Sequence, residues 1–511
     1  MIQDAARHYA AGDPVNAAHI CRAIIQADPR HFDALHLLGV ICAALGHRAD
    51  SVCYLLRAAA LRPHDPRIHF DLGNAFGALQ RFGKAEESYR TALTLGNRDA
   101  GVLNNLGLTL RGQERLEEAI KCFQSALAID PWHSSALLNL PRTWAASGHL
   151  EEAAGGFQRA RALCPAGTPP DQIAGIVNEH ARLLMDLGLA DDALRLLRDF
   201  SAAHPDITSP RWNIALALLT LGRFAEGWPA YEARWQAPGH DRAHRDYRVL
   251  DLDRVAGQRV LVEEEQGRGD IIQCLRYIQP LAARGARICL SVHADLLPLA
   301  RELPEVEWIM EPDMEAAEYD QRTSIMSLPL AFHGTATSIP AGVPYLRPPA
   351  RRIARMRHML GSNQKPRVGV AWSGSASSQA RAAIPAERLA LLFRRTGAAF
   401  HCLQKDILST DQEFLSANRF VTVHRDDLRD FGDTAALIEA MDLVITIDTA
   451  VAHLAGALAK PVWIMLPFSP DWRWLLNRDD SPWYPTARLF RQQSPGDWDS
   501  VVRAVVAAFP Y

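Results

Sequence analysis

VITIDTAVAHLAGALAKPVWIMLPFSPDWRW, residues 444–474, reads as strand, tight turn, helix and strand. Val444-Ile445-Thr446-Ile447 is a β-branched run of the kind buried on both faces of a parallel sheet. Asp448 and Thr449 follow at once and are placed to cap a helix over Ala450–Ala459. Lys460-Pro461 stops that helix, and Val462–Leu466 forms the next strand. In open α/β sheets ligands bind beyond the carboxyl ends of the strands, where helix N-termini offer N–H groups to anions. The Asp-Thr turn therefore faces a cleft or serves only as a cap, and His453 is either a site residue or an ordinary helix-surface residue.

A resemblance bears on that choice. DTAVAHLAGALAKPVW (448–463) resembles the donor-site motif of heptosyltransferase-like glycosyltransferases, family 9, which have the GT-B fold. In that family an Asp-Thr turn and a His on the following helix lie beside the nucleotide-sugar, which implies donor-site roles for Asp448, Thr449 and His453. PFSPDWRW together with SPWYPTARLFRQ resembles a subgroup carrying tetratricopeptide repeats in front. Asp471-Trp472-Arg473-Trp474 then shapes the pocket floor, or its tryptophans pack against the repeats.

Composition narrows the remaining classes. A chain of 511 residues suggests about two to four domains. Lys+Arg (55) nearly balance Asp+Glu (58), so no global field favours a polyanion, and nucleic acid is not expected as a partner. The eight cysteines show no CxxC spacing, which points away from zinc and dithiol chemistry and suits a reducing cytoplasm. The first residues, MIQDAARHYAAGDP, lack the basic-then-apolar pattern of a signal peptide, and no apolar stretch approaches a membrane span of about 20 residues. A cytoplasmic location is expected.

The first half repeats with a period of 34. Leu-Gly pairs fall at Leu38-Gly39, Leu72-Gly73 and Leu106-Gly107, and the same spacing links Leu55, Tyr89, Phe123 and Phe157, then Ala58, Ala92, Ala126 and Ala160. This is the tetratricopeptide pattern: small residues let two helices approach, large ones fill the space, and proline ends the second helix. About seven units are expected over residues 1–241, an all-α solenoid interrupted by an insertion at Cys164–Asp171. Pro141 replaces the expected glycine and is expected to kink its helix. The aromatic last unit, LGRFAEGWPAYEARW, is expected to cap the solenoid against the next domain. Such repeats offer a concave surface to a protein. Asn74, Asn104, Asn105 and Asn139 are candidates to hold an extended peptide, or are ordinary polar helix faces.

Beyond Gly257 strands and helices alternate, which implies parallel sheets with helices on both faces. Strands are predicted at Arg259–Val262, Arg287–Val292 and Glu307–Met310, with helices at Ile271–Arg284 and Asp295–Leu303. A Pro/Arg-rich crossing at Pro340–Pro366 carries one helix, Ala350–Leu360, and five further strands follow. Two α/β units, 257–345 on the acceptor side and 366–495 on the nucleotide-sugar side, match a GT-B enzyme with its site in the intervening cleft.

Glycosyl transfer needs a base for the acceptor hydroxyl and stabilisation of the departing diphosphate. No DxD pair stands in a suitable turn, so helix N-termini and cations are expected to do the diphosphate work, without metal and without a cofactor beyond the nucleotide-sugar substrate. In EEEQGRGD (263–270) the resemblance makes Asp270 the candidate base, because the family's first strand ends in a Gly-Asp turn facing the acceptor; the alternative is a cap of the helix from Ile271. Glu265 and Gln266 are acceptor-side candidates. On the donor side, WSGS (372–375) supplies Ser373 and Gly374, whose small size permits close approach to a phosphate or sugar. Arg381 is the basic residue left in a loop that is short for the family and lacks its lysine. Gln404 and Lys405 follow a strand, with Lys405 either a diphosphate contact or a solvated loop residue. Asp433 and Thr434, in DFGDTAAL, sit at a helix start and either bind the ribose or cap.

The reading is a tetratricopeptide-fused, inverting, metal-independent GT-B glycosyltransferase acting on a protein recruited by its repeats. O-linked N-acetylglucosamine transferases share the architecture, by analogy only. One rival places the acceptor on a lipopolysaccharide or cell-surface glycan. The other is a non-catalytic scaffold with a degenerate transferase half, motivated by the short loop after Trp372. Sugar, nucleotide, acceptor and any homo-oligomer stay open.

Overall fold

The computed structural model describes residues 1–510 apart from 165–166, 237–246, 248, 311–318, 336, 341, 363, 375–382, 395–396 and 419. The chain divides into two compact units, Met1–Leu183 and Leu184–Tyr511. Among the described residues no helix is long and apolar enough to cross a membrane.

Among the described residues helices pair into hairpins, among them Ile2–Ala10 with Pro14–Ala27 in the first unit and Pro210–Thr220 with Phe224–Tyr231 in the second. The period of 34 has a direct steric cause. A Cβ on Gly39 would lie 2.6 Å from Leu55 Cγ, and one on Gly107 would lie 2.7 Å from Phe123 Cε1, while Gly73 holds the Tyr89 ring in the same way. Each glycine is thus the seat of the large residue sixteen positions on. Pro141, where a glycine was expected, lies inside the helix Ser134–Ala146, which continues past it. Its ring meets Gly156, where a Cβ would sit 3.0 Å from Pro141 Cβ.

Asn74, Asn104, Asn105 and Asn139, candidates to hold a peptide or plain polar helix faces, are bonded to one another. Asn105 Nδ2 donates to Asn74 Oδ1 (2.8 Å), Asn104 Nδ2 to Asn105 Oδ1 (3.0 Å), and Asn139 Nδ2 to Asn104 Oδ1 (2.9 Å). Tyr89 adds its hydroxyl proton to Asn74 Oδ1. Asn104 and Asn139 are buried, as their mutual pairing requires.

The second unit contains the last hairpin and two all-parallel sheets. In the first, β1 (Arg259–Glu263), β2 (Arg287–Ser291), β3 (Val306–Met310) and β4 (Gln321–Ser324) lie in the order β3-β2-β1-β4. In the second, β5 (Arg367–Ala371), β6 (Ala399–Cys402), β7 (Val421–Val423), β8 (Leu443–Ile447), β9 (Val462–Leu466) and β10 (Ala487–Arg491) run β10-β9-β8-β5-β6-β7. This order is that of doubly wound nucleotide-binding sheets, whose ligand crevice opens where the winding reverses. Here the reversal falls between β5 and β8, which pair from Val368↔Leu443 to Ala371↔Thr446. The polar edge strand β4 and the arginine-flanked β10 are additional to the strands predicted.

Other elements differ in their limits. The helix predicted over Ile271–Arg284 starts at Arg268 and breaks into Arg268–Cys274, a 3-10 turn Leu275–Tyr277 and Ile278–Ala282. Pro280 explains the break: it has no N–H and its ring crowds the carbonyl four residues back. The helix predicted at Asp295–Leu303 shrinks to Leu297–Ala300, with Pro298 in its first turn and Pro304 beyond its end. The helix after β8 ends at Ala457, and Ala459 turns left-handed at φ 60°. The core of the second sheet also takes Trp498–Ala508, beyond residue 495: Trp498, Val501, Val502, Val505 and Val506 pack with Val368, Val370 and Phe400. Phe224, Trp228 and Tyr231 of the last hairpin share one core with Val260 and Val262 of β1 and Leu454 of the helix after β8, as expected of a cap.

Candidate functional site

A cleft of about 830 Å³ opens at the carboxyl ends of both sheets. Its first wall is the loop after β1, Gln266–Asp270, with Asp295. Its second wall holds Ser373 and Gly374 after β5, Gln404 and Lys405 after β6, Arg429–Phe431 and Thr434, and Asp448–Val451 with His453 after β8. Arg473 and Asp471 complete it.

The walls meet at Gly269. A Cβ there would lie 2.9 Å from His453 Cδ2 and 3.5 Å from Ala450 Cα. Only glycine lets the first loop come this close to the start of the helix Ala450–Ala457.

Asp270 stands in the first turn of its helix, and the cap position falls to Gly267. Its Oδ2 accepts from the Gly267 N–H (2.8 Å), and its Oδ1 accepts from Arg473 Nη2. Arg473 is buried, and its guanidinium also reaches Asp471 (2.7 Å) and Gln273 Oε1 (2.7 Å). Burial works against the Arg473 charge, but Asp270 and Asp471 overcome it and raise its affinity for the proton. The cleft floor therefore carries a fixed cation held between two carboxylates.

Asp448 and His453 lie together, Asp448 Oδ1 being 3.9 Å from His453 Nε2. Burial, reinforced by the charge of Asp471, pushes the Asp448 carboxyl up to about 7. Burial and the charges of Arg473 and Arg276 hold the His453 imidazole well below its usual range, so it is neutral at pH 7. His453 Nδ1 pairs with the Tyr484 hydroxyl (2.9 Å), and its ring stacks on Trp474 at 5.3 Å between centroids. His453 is thus a buried, oriented residue with one edge on the cleft. Thr449 takes the cap position by backbone geometry without a side-chain cap bond; its hydroxyl lies 3.3 Å from Thr446 Oγ1. Ser373 is oriented by Gln404: Nε2 donates to Ser373 Oγ (2.7 Å), and Oε1 accepts from the Trp372 and Ser373 N–H groups.

Two expectations need correction. Glu265 does not line the cleft: its carboxylate is clamped by Arg234 (2.7 and 2.9 Å) and Ser324, on the side of the last hairpin. Asp433 points away as well. It is fully buried beside Arg352 (2.9 Å), Arg355 (2.8 Å) and Arg429 (2.8 Å), and Asp430, not Asp433, caps the helix Phe431–Glu439. Burial raises the Asp433 carboxyl, and the bonds from Arg429 with the neighbouring arginine charges overcome that and hold it below the usual range. Thr434, one residue on, does line the cleft. Lys405 reaches the rim, with Nζ 3.3 Å from the Arg429 carbonyl. Arg381 lies outside the described residues.

Sequence reading had Arg473 only as part of a pocket floor and passed over Arg429. An arginine flanked by tryptophans just after a sheet strand was the available signal for the first. Of the DWRW tryptophans, Trp472 packs edge-on against Trp228 of the last hairpin (5.3 Å), and Trp474 backs His453.

Tetratricopeptide repeat models match residues 43–101, 100–133 and 178–243. Protein FlbA of Caulobacter vibrioides is 28% identical over 366 residues, 63% of this chain and 59% of FlbA, so the chain spans less than two thirds of that relative. Among solved structures, MamA from Desulfovibrio magneticus RS-1 is 21% identical over 32% of this chain and 91% of that one (TM-score 0.31). Pseudomonas aeruginosa pilF is 18% identical over 41% of this chain and 92% of that one (TM-score 0.34). The chain carries tetratricopeptide repeats, a module that binds proteins.

Proposed function

We propose that the second unit is a GT-B glycosyltransferase that moves a sugar from a nucleotide-sugar to a hydroxyl of a protein recruited by the repeats, without a metal ion. The observation that carries this reading is the convergence of Asp270 from the first sheet with Asp448, Thr449 and His453 from the second on one cleft at the β5/β8 reversal. The resemblance of residues 448–463 to the family 9 donor motif points the same way.

The chemistry follows from the side chains. The acceptor oxygen attacks the anomeric carbon as the bond to the diphosphate breaks, and Asp270 takes the hydroxyl proton, so configuration inverts. The charge developing on the nucleoside diphosphate meets the uncapped N–H groups of the helix Ala450–Ala457 and the Arg473 guanidinium. Neutral His453 and Asp448 offer hydrogen bonds to the sugar. The repeats favour a protein acceptor over a free glycan because they bind proteins.

Release of nucleoside diphosphate from a panel of nucleotide-sugars tests the reading, with and without a lysate of candidate acceptors. Asp270→Asn is expected to cut turnover by about 10²–10⁴, the range for loss of a general base. Acceptor-dependent release that needs a lipopolysaccharide would replace the protein acceptor, and release from none of the nucleotide-sugars would favour the scaffold.

A further inference from the structure

Residues Glu265, Gln266 and Gly267 each carry one link of a single chain of contacts. Glu265 accepts both arms of the Arg234 fork (2.7 and 2.9 Å). Gln266 Nε2 donates to the Tyr231 hydroxyl (2.6 Å). The Gly267 N–H donates to Asp270 Oδ2 (2.8 Å). Tyr231 ends the last repeat helix, and Arg234 lies in the 3-10 turn that follows it, Glu232–Gln236.

Arg234 is completely buried and fully engaged. Besides Glu265 it donates to Glu232 (2.6 Å), Ser327 Oγ (2.7 Å) and the Tyr231 carbonyl (3.2 Å). A planar guanidinium in such a socket fixes direction as well as charge. Gln266 is held with φ 66°, a backbone conformation that a non-glycine residue keeps only when its surroundings enforce it.

The same hairpin reaches the other partner of Asp270. Trp228 and Tyr231 pack edge-on against Trp472, at 5.3 and 6.3 Å, and the Arg473 guanidinium lies 4.2 Å from the Trp472 ring centre. Two routes from one hairpin therefore converge on Asp270: through the loop that binds its Oδ2, and through the turn that supplies the arginine on its Oδ1.

We propose that the last repeat is part of the catalytic apparatus, with Tyr231 and Arg234 acting as positioning residues that hold the Asp270–Arg473 pair. The inference rests on the transferase reading and adds that the repeat sets the base in place, where a mere tether would leave turnover unaffected.

The test compares Tyr231→Phe and Arg234→Lys with wild type. Tyr231→Phe keeps the ring and removes only the bond to Gln266; Arg234→Lys keeps the charge and loses the fork. Steady-state release of nucleoside diphosphate gives kcat and the donor KM, and circular dichroism gives the folded fraction. Expected is a fall in kcat of about ten- to a hundredfold, the scale of a small misplacement of a catalytic group, with donor KM within about twofold, because the donor residues belong to the other wall. A kcat unchanged in Tyr231→Phe would overturn the inference while leaving the transferase reading intact, as would a fall that merely follows the folded fraction. Absence of turnover in the wild type would overturn both.

Discussion

Arg473, on the turn after β9, donates to Asp270 across 203 residues of sequence and so joins the loops of the two sheets at the cleft floor. In the proposed transfer, Asp270 of this pair is the proton acceptor and Arg473 faces the departing diphosphate. Asp471 on the other side of the guanidinium leaves the cluster with two carboxylates to one cation.

Arg473→Met removes the cation and leaves Asp270 and Asp471 without it. Breaking a buried pair from one side costs about 3–5 kcal/mol, so urea unfolding is expected to show a loss of that order. A loss below about 1 kcal/mol, the scale of surface pairs, would mean that water screens the cluster.

Asp448 makes stability depend on pH in an unusual direction. Its carboxyl is raised from 3.8 to about 7 by burial. Below pH 4 both folded and unfolded chains hold the proton; between 4 and 7 the folded chain keeps it and the unfolded chain loses it. This contribution is therefore full below pH 4 and is lost as pH rises through 7. Asp448→Asn is expected to flatten the fall of melting temperature across that window and to exceed wild type at pH 8. A variant less stable than wild type at pH 8 would show that the charged carboxylate is held by a favourable contact.

The steric account of the repeats gives a pair of opposite outcomes. Gly73→Ala drives a Cβ into the Tyr89 ring and is expected to cost about 1–3 kcal/mol, as overpacking does. Gly155, inside the helix Leu150–Ala162, has no atom within 4 Å of such a Cβ, so Gly155→Ala is expected to gain about 0.5–1 kcal/mol from helix propensity. Chemical denaturation of both variants checks the contrast, and equal shifts would remove the packing explanation of the 34-residue period.

What could be read in the sequence follows the range of the interaction. Gly39, Gly73 and Gly107 were legible because each glycine and its large partner lie sixteen residues apart in every unit. The strand Val444–Ile447 and the turn at Asp448 were legible because a doubly buried strand must be continuously apolar. The partners of Glu265 and Asp433 were not, since a carboxylate beside a glycine turn or a helix start looks alike whether it faces a cleft or an arginine. β4, with the sequence QRTS, escaped because an edge strand needs no apolar run. The asparagine ladder was visible as a row of residues, but the bonds across 31 and 35 positions that join them to each other were not.

Donor binding by the second wall is the central claim, and a thermal-shift panel of UDP, GDP, ADP and CMP with their sugar conjugates tests it most directly, wild type beside Asp448→Ala. A ligand that binds only the folded chain raises its melting temperature in proportion to the logarithm of its excess, so micromolar affinity registers. The account predicts that conjugates of one base stabilise the wild type and leave Asp448→Ala, itself no less stable at pH 8, unmoved. No shift with any nucleotide, or equal shifts in both proteins, would contradict it.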